Sequence, residues 1–378
     1  MRVAFVLGTT SGGTGRHVAM LARGLVRRGH RVLVVAPREV GEGFAFREAG
    51  ARLAEVEVTD RPRPLADARA VLAAGRLTRG ADVVHAHGLR AGALAGLGLT
   101  LAGLGLTLAG LGRVPSRGRT RPRLVVTLHN ALTAGGTVGL VYGVLERIVA
   151  RLADRVLVVS PDLGERMRAL GARDVRAAVV PAPVPRPAGR PAAEVRAELG
   201  AGERPVVLTI ARLAQQKGLE TLLDAAAGPW PGPEPLFAIA GEGPLRETLQ
   251  RRIDRDGLPV VLLGNRDDVP DLLAAAAVAV WPSRWEGQPL SLSETLMAGR
   301  PVVATAVGGI PELVGDAGAL VPYGDVPALR AAVQEVIADP EKAAGRAAAA
   351  ARRGAELPDE DDAVRAVLDA YGSSTSSG

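Results

Sequence analysis

Short apolar segments of β-strand character alternate with segments of helical spacing along most of this chain. Arg2–Leu7 is an apolar strand, a loop of small residues follows, and residues 17–28 have the spacing of a helix that ends at Gly29. Arg31–Ala36 is the next predicted strand. Strands that are separated by helices in this way pair in parallel, with helices on both faces of the sheet. The sequence therefore predicts an α/β fold.

The length of the chain and the position of its prolines indicate two domains. With 378 residues the chain exceeds the usual size of one domain and can bury two sizeable cores. Prolines at positions 181, 183, 185, 187 and 191 break any regular element there. We interpret this stretch as a linker between a first domain, residues 1–185, and a second, residues 186–358. Residues 359–371 are helical in pattern, and 372–378 are predicted to be a disordered tail.

The composition disfavours several classes of protein. Cysteine is absent, so neither a disulfide framework nor a thiolate metal site can form, and the opening MRVAFVLG reads as a buried strand rather than a signal peptide. These features favour a cytoplasmic protein. The net charge is +6, carried almost wholly by arginine, and aromatic residues make up 3% of the chain. Nucleic acid is therefore disfavoured as a partner, whereas phosphorylated substrates or an anionic membrane surface remain open.

The first loop, residues 8–15, is rich in glycine and precedes a helix. Glycines at a helix N-terminus let backbone N–H groups approach a phosphate closely. The loop lacks the G-x-G-x-x-G order of a dinucleotide site, and Ala36-Pro37-Arg38 stands where the second strand would end in an acidic residue. A nicotinamide-dependent enzyme is therefore disfavoured.

Three of the five histidines follow predicted strand ends. His85 and His87 fall where the short predicted strand at 82–88 runs into a turn, and His129 follows the strand at 124–128. Open parallel sheets bind ligands at this edge. Each histidine alone could be structural, but three together favour a functional site.

An uncharged repeat occupies residues 94–112, where Leu-Ala-Gly-Leu-Gly-Leu-Thr occurs twice and its first five residues a third time. Five arginines follow it, at positions 113, 117, 119, 121 and 123. The high glycine content argues against a stable membrane-spanning helix, because glycine costs up to ~1 kcal/mol per position relative to alanine. We interpret the repeat as an expansion that lengthens a helix or surface loop. The alternative is that residues 94–123 contact an anionic membrane peripherally.

Two glutamates stand eight positions apart in the second half of the chain. Residues 274–280 are predicted to form a buried strand, and Glu286 lies in the loop that follows it. Residues 291–297 suit a helix with Ser291 or Ser293 as its cap, which places Glu294 in the first turn. Both carboxylates can then face one cleft. The alternative is that Glu294 only complements the helix dipole and Glu286 is a solvated loop charge.

Other loops of the second half also follow predicted strands. The strand at 205–210 leads to Arg212 and Lys217, which are either an ordinary solvated pair or fixed cations for a diphosphate leaving group. Gly241-Glu242-Gly243-Pro244 and Gly264-Asn265-Arg266 follow the next two strands. Asp254-Arg255-Asp256 resembles a metal-binding Asp-x-Asp, but it ends a helix, so no metal site is predicted.

Together these motifs resemble the retaining glycosyltransferases of family 4, the group similar to glycogen and sucrose-phosphate synthases. The resemblance rests on the glutamate pair, on Ala298-Gly299-Arg300-Pro301, on Gly308-Gly309-Ile310-Pro311-Glu312 and on the Arg212 to Gly218 loop, and it extends over roughly residues 1–355. It implies the GT-B architecture, in which two Rossmann-like domains face each other across a cleft and the final helix packs back on the first domain. The implied reaction is transfer of a sugar from a nucleoside diphosphate sugar to a glycan, lipid or small-molecule acceptor, without a metal or other cofactor.

The resemblance also implies roles for individual residues. In that family the residue matching His129 lies by the anomeric carbon, the one matching Glu286 approaches the donor-sugar hydroxyls, and those matching Arg212 and Lys217 hold the diphosphate. The residue matching Glu294 binds the ribose. The remaining donor-side positions are Gly13, Gly241, Gly243, Arg266, Gly287, Leu290 and Ser291, and the acceptor-side positions are His17, His85 and His87.

The chain departs from the family pattern at the linker. Pro181-Ala182-Pro183-Val184-Pro185 stands where the family has Pro-Asn-Gly-Val-Asp, which affects the expected acceptor contacts and closure geometry. Two alternatives to a transferase stay open, and the linker and the apolar repeat bear on the second of them. One is a nucleotide-sugar epimerase of the same fold, and the other is a non-catalytic protein that only binds sugar nucleotides.

Overall fold

The structure is a computed structural model, and it describes residues 1–10, 12–58, 63–104, 121–131, 136–232 and 234–372. The chain divides into two compact units. Unit 1 consists of Met1–Pro181 together with Pro358–Gly378, and unit 2 is Ala182–Leu357. The predicted tail beyond Gly372 lies outside the described residues.

Unit 1 is built on a parallel sheet. In the described residues it has seven strands in the order β3-β2-β1-β4-β5-β6-β7. The strands are rich in valine and leucine and are mostly buried, as expected for a sheet covered on both faces. Their bounds are β1 (Arg2–Leu7), β2 (Arg31–Ala36), β3 (Arg52–Glu55), β4 (Val83–His87), β5 (Arg123–Leu128), β6 (Arg155–Val158) and β7 (Val175–Ala177).

Helices connect the strands of unit 1. They are α1 (Gly13–Arg27), α2 (Arg38–Gly43), α3 (Pro64–Thr78), α4 (Leu89–Gly103), α5 (Gly136–Leu152) and α6 (Pro161–Ala169). The helix predicted at 17–28 thus begins four residues earlier, directly after Gly12. One core lies between α1 and the side chains of Val3, Phe5 and Leu7 on β1.

The apolar repeat begins inside this unit as a packed helix. Leu94, Ala95 and Leu99 of α4 are buried. A Cβ atom on Gly98 would lie 2.5 Å from the Val71 carbonyl oxygen of α3, so only glycine allows this backbone approach. Residues 94–99 are therefore packed in the core, whereas Gly103 at the end of α4 is exposed. Residues 105–112 and the arginines at 113, 117 and 119 lie outside the described residues.

Unit 2 repeats the same architecture. Its described residues form a six-stranded parallel sheet in the order β10-β9-β8-β11-β12-β13. The bounds are β8 (Val206–Ile210), β9 (Leu236–Ala240), β10 (Val260–Gly264), β11 (Val278–Trp281), β12 (Val302–Thr305) and β13 (Ala319–Val321).

The helices of unit 2 cover both faces of this sheet, as the two hydrophobic clusters around β8 show. They are α7 (Ala192–Glu198), α8 (Leu219–Ala226), α9 (Arg246–Asp256), α10 (Val269–Ala275), α11 (Leu290–Met297), α12 (Ile310–Val314), α13 (Val326–Ala338) and α14 (Pro340–Ala355), with a 3₁₀ turn at Gln215–Lys217. Asp325 and Asp339 cap α13 and α14 by accepting backbone N–H groups.

The last helix, α15 (Glu360–Tyr371), belongs to unit 1. Asp359 and Asp362 form a reciprocal capping box at its start. The helix packs on α1, where a Cβ on Gly24 would lie 2.4 Å from Val364 Cγ2. Val364, Val367 and Tyr371 are buried in the same core as β1.

Two local predictions in the second half are wrong. The apolar run 274–280 is not one strand, because α10 continues to Ala275 and β11 starts only at Val278. Helix α11 begins at Leu290 after Pro289, and no side chain caps it, so neither Ser291 nor Ser293 is the cap. Glu294 is consequently the fifth residue of α11 and lies just beyond its first turn.

In the described part of the chain, none of the helices combines the length and the apolar character needed to cross a bilayer.

Candidate functional site

Each sheet has one point where the strand order reverses direction. In unit 1 the order changes between β1 and β4, and in unit 2 between β8 and β11. At such a point the loops leaving the two central strands separate and open a crevice, which is where open α/β sheets bind ligands. Most of the residues singled out in the sequence lie at or after the carboxyl ends of the parallel strands in the two units.

An ion pair with a buried carboxylate and a half-buried lysine occupies the switch point of unit 2. The Nζ atom of Lys217, in the loop after β8, donates to Oε1 of Glu286, in the loop after β11, at 2.6 Å. Ser283 Oγ donates to the same carboxylate oxygen at 2.7 Å. Glu286 is only 4% exposed, so it is not a solvated loop charge. The Glu286 carboxylate can be buried here because it accepts hydrogen bonds from both a cation and a hydroxyl group.

Hydrogen bonds to backbone carbonyl groups fix the two loops that carry this pair. Gln216 Nε2 donates to the Trp285 carbonyl oxygen at 2.9 Å, and Arg284 N donates to the Gln216 carbonyl oxygen at 2.8 Å. Thr305 Oγ1 donates to the carbonyl oxygen of Ser283 at 2.6 Å. The Lys217 loop and the Glu286 loop are therefore held as one assembly rather than as two independent surface loops.

Glycines allow these loops to approach closely. A Cβ on Gly308 would lie 1.9 Å from the Glu286 carbonyl oxygen, and one on Gly218 would lie 2.0 Å from the Pro282 carbonyl oxygen. Gly241 and Gly243 are pressed in the same way against Ala211 and Leu213, the residues flanking Arg212. The glycine motifs noted in the sequence thus have a steric reason, since any side chain would displace the loops.

The other predicted donor-side residues of unit 2 differ in their surroundings. Arg212 is exposed and has no ion pair in the described part of the chain. Arg266 is engaged locally, because its guanidinium binds Asp268 at 2.6 and 2.7 Å and Glu198 at 2.8 Å. These carboxylates raise its pKa above the usual value.

Ser291 Oγ donates to the carbonyl oxygen of Ile210, at the end of β8, at 3.2 Å. This bond ties the first turn of α11 to the central strand. Gly287 is buried in the loop beyond Glu286, Leu290 starts α11, and Glu294 is half-buried on the same helix. The structure therefore places these donor-side positions on a single continuous segment after β11.

Unit 1 gathers four of the five histidines at its own switch point. His85 and His87 are alternate residues of β4 and face the same side as Phe5 of β1, whose ring lies 5.5 and 5.6 Å from theirs. His129 follows β5, and its Nε2 lies 2.9 Å from His87 Nδ1. His17 of α1 completes the cluster, with its ring centroid 5.8 Å from those of both His87 and His129.

The cluster is neutral at pH 7. Burial lowers the pKa of every one of these imidazoles, to about 3 for His85 and to about 4 for His129. For His17 and His87 the pKa is lowered well below the usual value, first by burial and then by the neighbouring rings. Neutral imidazoles each offer one donor and one acceptor, which suits hydroxyl groups better than anions.

Among the described residues, two buried ring nitrogens in the cluster have no hydrogen-bond partner, His17 Nδ1 and His87 Nε2. By contrast, both nitrogens of His85 are satisfied, with Nδ1 2.6 Å from Tyr371 Oη and Nε2 2.7 Å from Thr127 Oγ1. His85 is completely buried. Of the three predicted acceptor-side histidines, His85 is thus the one without a free nitrogen.

Gly13 is the first residue of α1, after Gly12, and no side chain of the described residues caps this N-terminus. Its backbone N–H groups belong to the set that a helix leaves unpaired and that can bind an anion. Across the described residues, no group of three or more potential ligands could hold a metal ion. Asp254 and Asp256 lie on α9, where Gln250 and Arg255 bind them.

Sequence reasoning missed Ser283, Gln216, Thr127 and Tyr371. The contacts of Gln216, Thr127 and Tyr371 join segments that are far apart in the chain, 286 residues in the case of Tyr371 and His85, whereas Ser283 binds Glu286 three residues further on. The only available signal was the alternation of His85, His87, Thr127 and His129, which places them on one face of adjacent strands.

The fold is that of GT-B glycosyltransferases. The structure of Anabaena Alr3699/HepE in complex with UDP matches with a TM-score of 0.77 at 21% identity and covers 98% of this chain and 99% of that chain. Sucrose-phosphate synthase from Thermosynechococcus elongatus matches with a TM-score of 0.73 at 20% identity, covering 98% of both chains. The predicted fold class, α/β with two Rossmann-like domains, is confirmed.

Both units are also similar in sequence to glycosyltransferase domains. Residues 12–183 match the family described as glycosyl transferase 4-like domain, and residues 204–339 match glycosyl transferases group 1. A curated relative, alpha-D-kanosaminyltransferase of Streptomyces kanamyceticus, is 34% identical over 149 residues, which is 38% of this chain and 39% of the relative.

A second relative is the GDP-mannose-dependent alpha-(1-6)-phosphatidylinositol monomannoside mannosyltransferase of Mycolicibacterium smegmatis. It is 36% identical over 159 residues, covering 38% of this chain and 42% of the relative. The chain thus spans about two fifths of the length of these curated relatives.

Proposed function

We propose that this protein is a retaining glycosyltransferase that moves a sugar from a nucleoside diphosphate sugar to a hydroxyl-bearing acceptor. The observation that carries the proposal is the Lys217–Glu286 pair at the switch point of unit 2, inside the region that matches the group 1 domain. At this point the lysine can bind a phosphate group of the donor, and the glutamate can accept a hydrogen bond from a hydroxyl group of the sugar attached to it.

Unit 2 is proposed to bind the donor. Lys217 and the exposed Arg212 stabilise the negative charge that develops on the departing diphosphate. Glu286 accepts hydrogen bonds from the donor-sugar hydroxyls, and Glu294 accepts them from the ribose. No carboxylate of the described loops is placed as a separate nucleophile beside this pair, so we favour displacement on the same face with assistance from the leaving phosphate.

Unit 1 is proposed to bind the acceptor and the transferred sugar through its neutral histidines. The free nitrogens of His17 and His87 and the partly exposed ring of His129 provide hydrogen-bonding groups for uncharged hydroxyls. Two relatives act on lipid-linked acceptors according to their names, a phosphatidylinositol mannoside in one case and a diphosphoundecaprenol in the other. A glycan or lipid-linked acceptor therefore fits this chain.

The test of the proposed function is turnover of a panel of UDP-, GDP- and ADP-sugars, followed by mass spectrometry with and without hydroxylated acceptors. A new glycoside and release of the nucleoside diphosphate are expected. A changed sugar without any acceptor would instead indicate an epimerase, and binding without turnover would indicate a non-catalytic protein. Retention is read from the anomeric configuration of the product by NMR.

The reaction is proposed to need no metal, because Lys217 and Arg212 supply the positive charge. Activity is expected to be unchanged by EDTA. Loss of turnover that Mg²⁺ or Mn²⁺ restores would contradict this part of the mechanism.

We further propose that the protein contacts anionic membranes peripherally, through α5 rather than through residues 94–103. Leu140 and Val144 of α5 are 74% and 53% exposed, and Arg147 and Arg151 continue the same exposed stripe of this helix. An apolar stripe followed by cations suits an interface of anionic lipids. Binding to phosphatidylglycerol vesicles and not to phosphatidylcholine vesicles, lost in Leu140→Asp/Val144→Asp, is the expected result.

A further inference from the structure

The C-terminal helix α15 touches the histidine cluster at one point, the hydroxyl group of Tyr371. Tyr371 is 4% exposed, and its Oη lies 2.6 Å from Nδ1 of His85. The two rings meet edge to face, with centroids 5.5 Å apart. The proposed function gives this contact no role, because His85 itself is completely buried and cannot reach a substrate.

The end of α15 is held firmly against the sheet. Arg155 Nη1 donates to the carbonyl oxygens of Asp369 and Ala370, at 3.2 and 2.7 Å. Arg123 Nη1 donates to those of Tyr371 and Gly372, at 3.2 and 2.6 Å. Two guanidinium groups of β5 and β6 thus bind the last four carbonyl groups of α15 and its cap, where positive charge is most favourable. The position of Tyr371 is therefore fixed by the backbone on both sides.

The hydrogen-bond requirements of Tyr371 determine the tautomer of His85. Burial raises the pKa of the Tyr371 phenol, so the hydroxyl keeps its proton. His85 Nδ1 is the one partner of this hydroxyl in the described part of the chain, and a buried donor without an acceptor is costly. The O–H therefore donates to Nδ1, and the single proton of the neutral ring resides on Nε2, from which it is donated to Thr127 Oγ1 at 2.7 Å.

A fixed His85 ring in turn positions the two histidines beyond it. Its centroid is 4.3 Å from that of His87, so the two rings are in direct contact. His87 Nδ1 is hydrogen-bonded to His129 Nε2 at 2.9 Å, and the two ring planes are inclined by only 19° with centroids 5.3 Å apart. The contacts run without interruption from Tyr371 through His85 and His87 to His129.

We propose that Tyr371 is a positioning residue of the reaction, which fixes the ring and tautomer of His85 and thereby aligns the His87–His129 pair. This inference rests on the proposed function for the role of His129, but its central step concerns ring tautomers and can be measured without a substrate. The acidic partner that orients an imidazole in many enzymes is here replaced by a phenol from the far end of the chain.

The experiment compares Tyr371→Phe with the wild-type protein. The substitution removes one oxygen atom and keeps the ring that packs in the core. Two-bond ¹H–¹⁵N correlation spectra of the histidine rings are measured at pH 7, where the chain has only five histidines and His30, outside the cluster, is an internal reference. The wild-type spectrum is expected to show His85 as the Nε2–H tautomer, and the variant is expected to change the His85, His87 and His129 signals together.

Activity is measured in parallel as release of nucleoside diphosphate from the sugar nucleotide that the wild-type protein turns over. Tyr371→Phe is expected to lower kcat about tenfold, which corresponds to ~1.4 kcal/mol, and to leave the KM for the donor within about twofold. Val367→Ala is the matched control, because it weakens the packing of the same helix without touching His85. It is expected to lower Tm while leaving the ring signals and kcat close to wild type.

Three results would overturn the proposal. They are an Nδ1–H tautomer of His85 in the wild-type protein, unchanged His87 and His129 signals with unchanged kcat in Tyr371→Phe, and equal losses of kcat in Tyr371→Phe and Val367→Ala. If Tyr371→Phe does not fold, Thr127→Val removes the other partner of His85 and must change the same ring signals. A protein that turns over no sugar nucleotide would refute the proposed function, while the ring spectra would still decide whether Tyr371 fixes the tautomer.

Discussion

The two switch points share one topology and differ in their chemistry. That of unit 2 holds a half-buried cation, Lys217, and a buried carboxylate, Glu286, whereas that of unit 1 holds four neutral imidazoles. A diphosphate needs fixed charge, and an uncharged hydroxyl needs a donor and an acceptor that attract no counter-ion. The same sheet order thus provides either kind of site, and the side chains after the central strands determine which one.

The two points also differ in how they are kept rigid. In unit 2 the loops are held by hydrogen bonds to backbone carbonyl groups and by close backbone approaches at Gly218 and Gly308, where a Cβ would clash. In unit 1 the cluster is held by side-chain hydrogen bonds among His85, Thr127 and Tyr371. The site of unit 2 should therefore be disturbed by substitutions that add side-chain atoms at these glycines. The site of unit 1 should be disturbed by substitutions that remove a hydrogen-bonding group and by protonation of its histidines.

The largest expected effect concerns the cation of unit 2. Lys217→Ala should lower turnover by roughly 10²–10³-fold, because it removes one group that stabilises the developing charge on the diphosphate. The chain supplies its own control in Lys342, its other lysine, which is exposed on α14. Initial rates of Lys342→Ala should equal those of the wild-type protein. Near-normal turnover in Lys217→Ala would show that Lys217 forms an ordinary ion pair without a role in the reaction.

As the pH falls, the free energy of unfolding should decrease in unit 1 before it decreases in unit 2. The folded state keeps its four clustered histidines neutral, whereas the unfolded chain protonates them below a pKa of about 6.5, so stability falls as the pH drops from 6.5 towards 4. For each histidine that stays neutral in the folded state, the free energy of unfolding should be about 2 kcal/mol lower at pH 5 than at pH 7.

The three tryptophans, Trp230, Trp281 and Trp285, all lie in unit 2. Tryptophan fluorescence therefore reports the unfolding of unit 2. Between pH 7 and pH 5, its urea midpoint should change less than the midpoint of the earliest unfolding transition in circular dichroism. Equal shifts of both signals would show that the histidines do not set the acid stability of unit 1.

The acid of unit 2 is expected to have a smaller and more selective effect. Glu286→Gln should lower turnover at least tenfold, or ~1.4 kcal/mol, through loss of the sugar contacts. It should not weaken binding of the free nucleoside diphosphate, since it removes a negative charge beside Lys217. Glu294→Gln should weaken that binding. Calorimetry with the nucleotide alone separates the two, and equal weakening in both variants would contradict the division of roles.

The smallest expected effect comes from shortening the repeat. Deletion of residues 101–107 removes one copy but keeps the copy at 94–100, which carries Gly98 and its contact with α3. The unfolding free energy should stay within about 0.5 kcal/mol of wild type, as for other changes away from packed positions. In Gly98→Val the added side chain meets the α3 backbone, and a loss of about 1–3 kcal/mol is expected. Similar losses in both would show that the second copy also packs.

Much of the fold could be predicted because valine-rich strands and helical segments alternate so regularly. Errors occurred where composition is ambiguous, as at 274–280, where an apolar run joins the end of α10 to β11. The start of α11 was misplaced because Pro289 precedes the helix and serine side chains nearby suggested a cap. Individual site residues were recognisable from their strand ends, but not their partners. Lys217 meets Glu286 only because β8 and β11 are neighbours, which spacing along the chain does not reveal.

The return of α15 to unit 1 also affects how the protein is made. A nascent chain emerges from the ribosome in sequence order, so β1 to β7 are available long before Val364, Val367 and Tyr371. Until then the apolar face beside α1 has no cover, and His85 has no phenol to bind. Unit 1 can therefore reach its final form only after unit 2 has been synthesised, and during translation its half-finished core is the surface most in need of a chaperone.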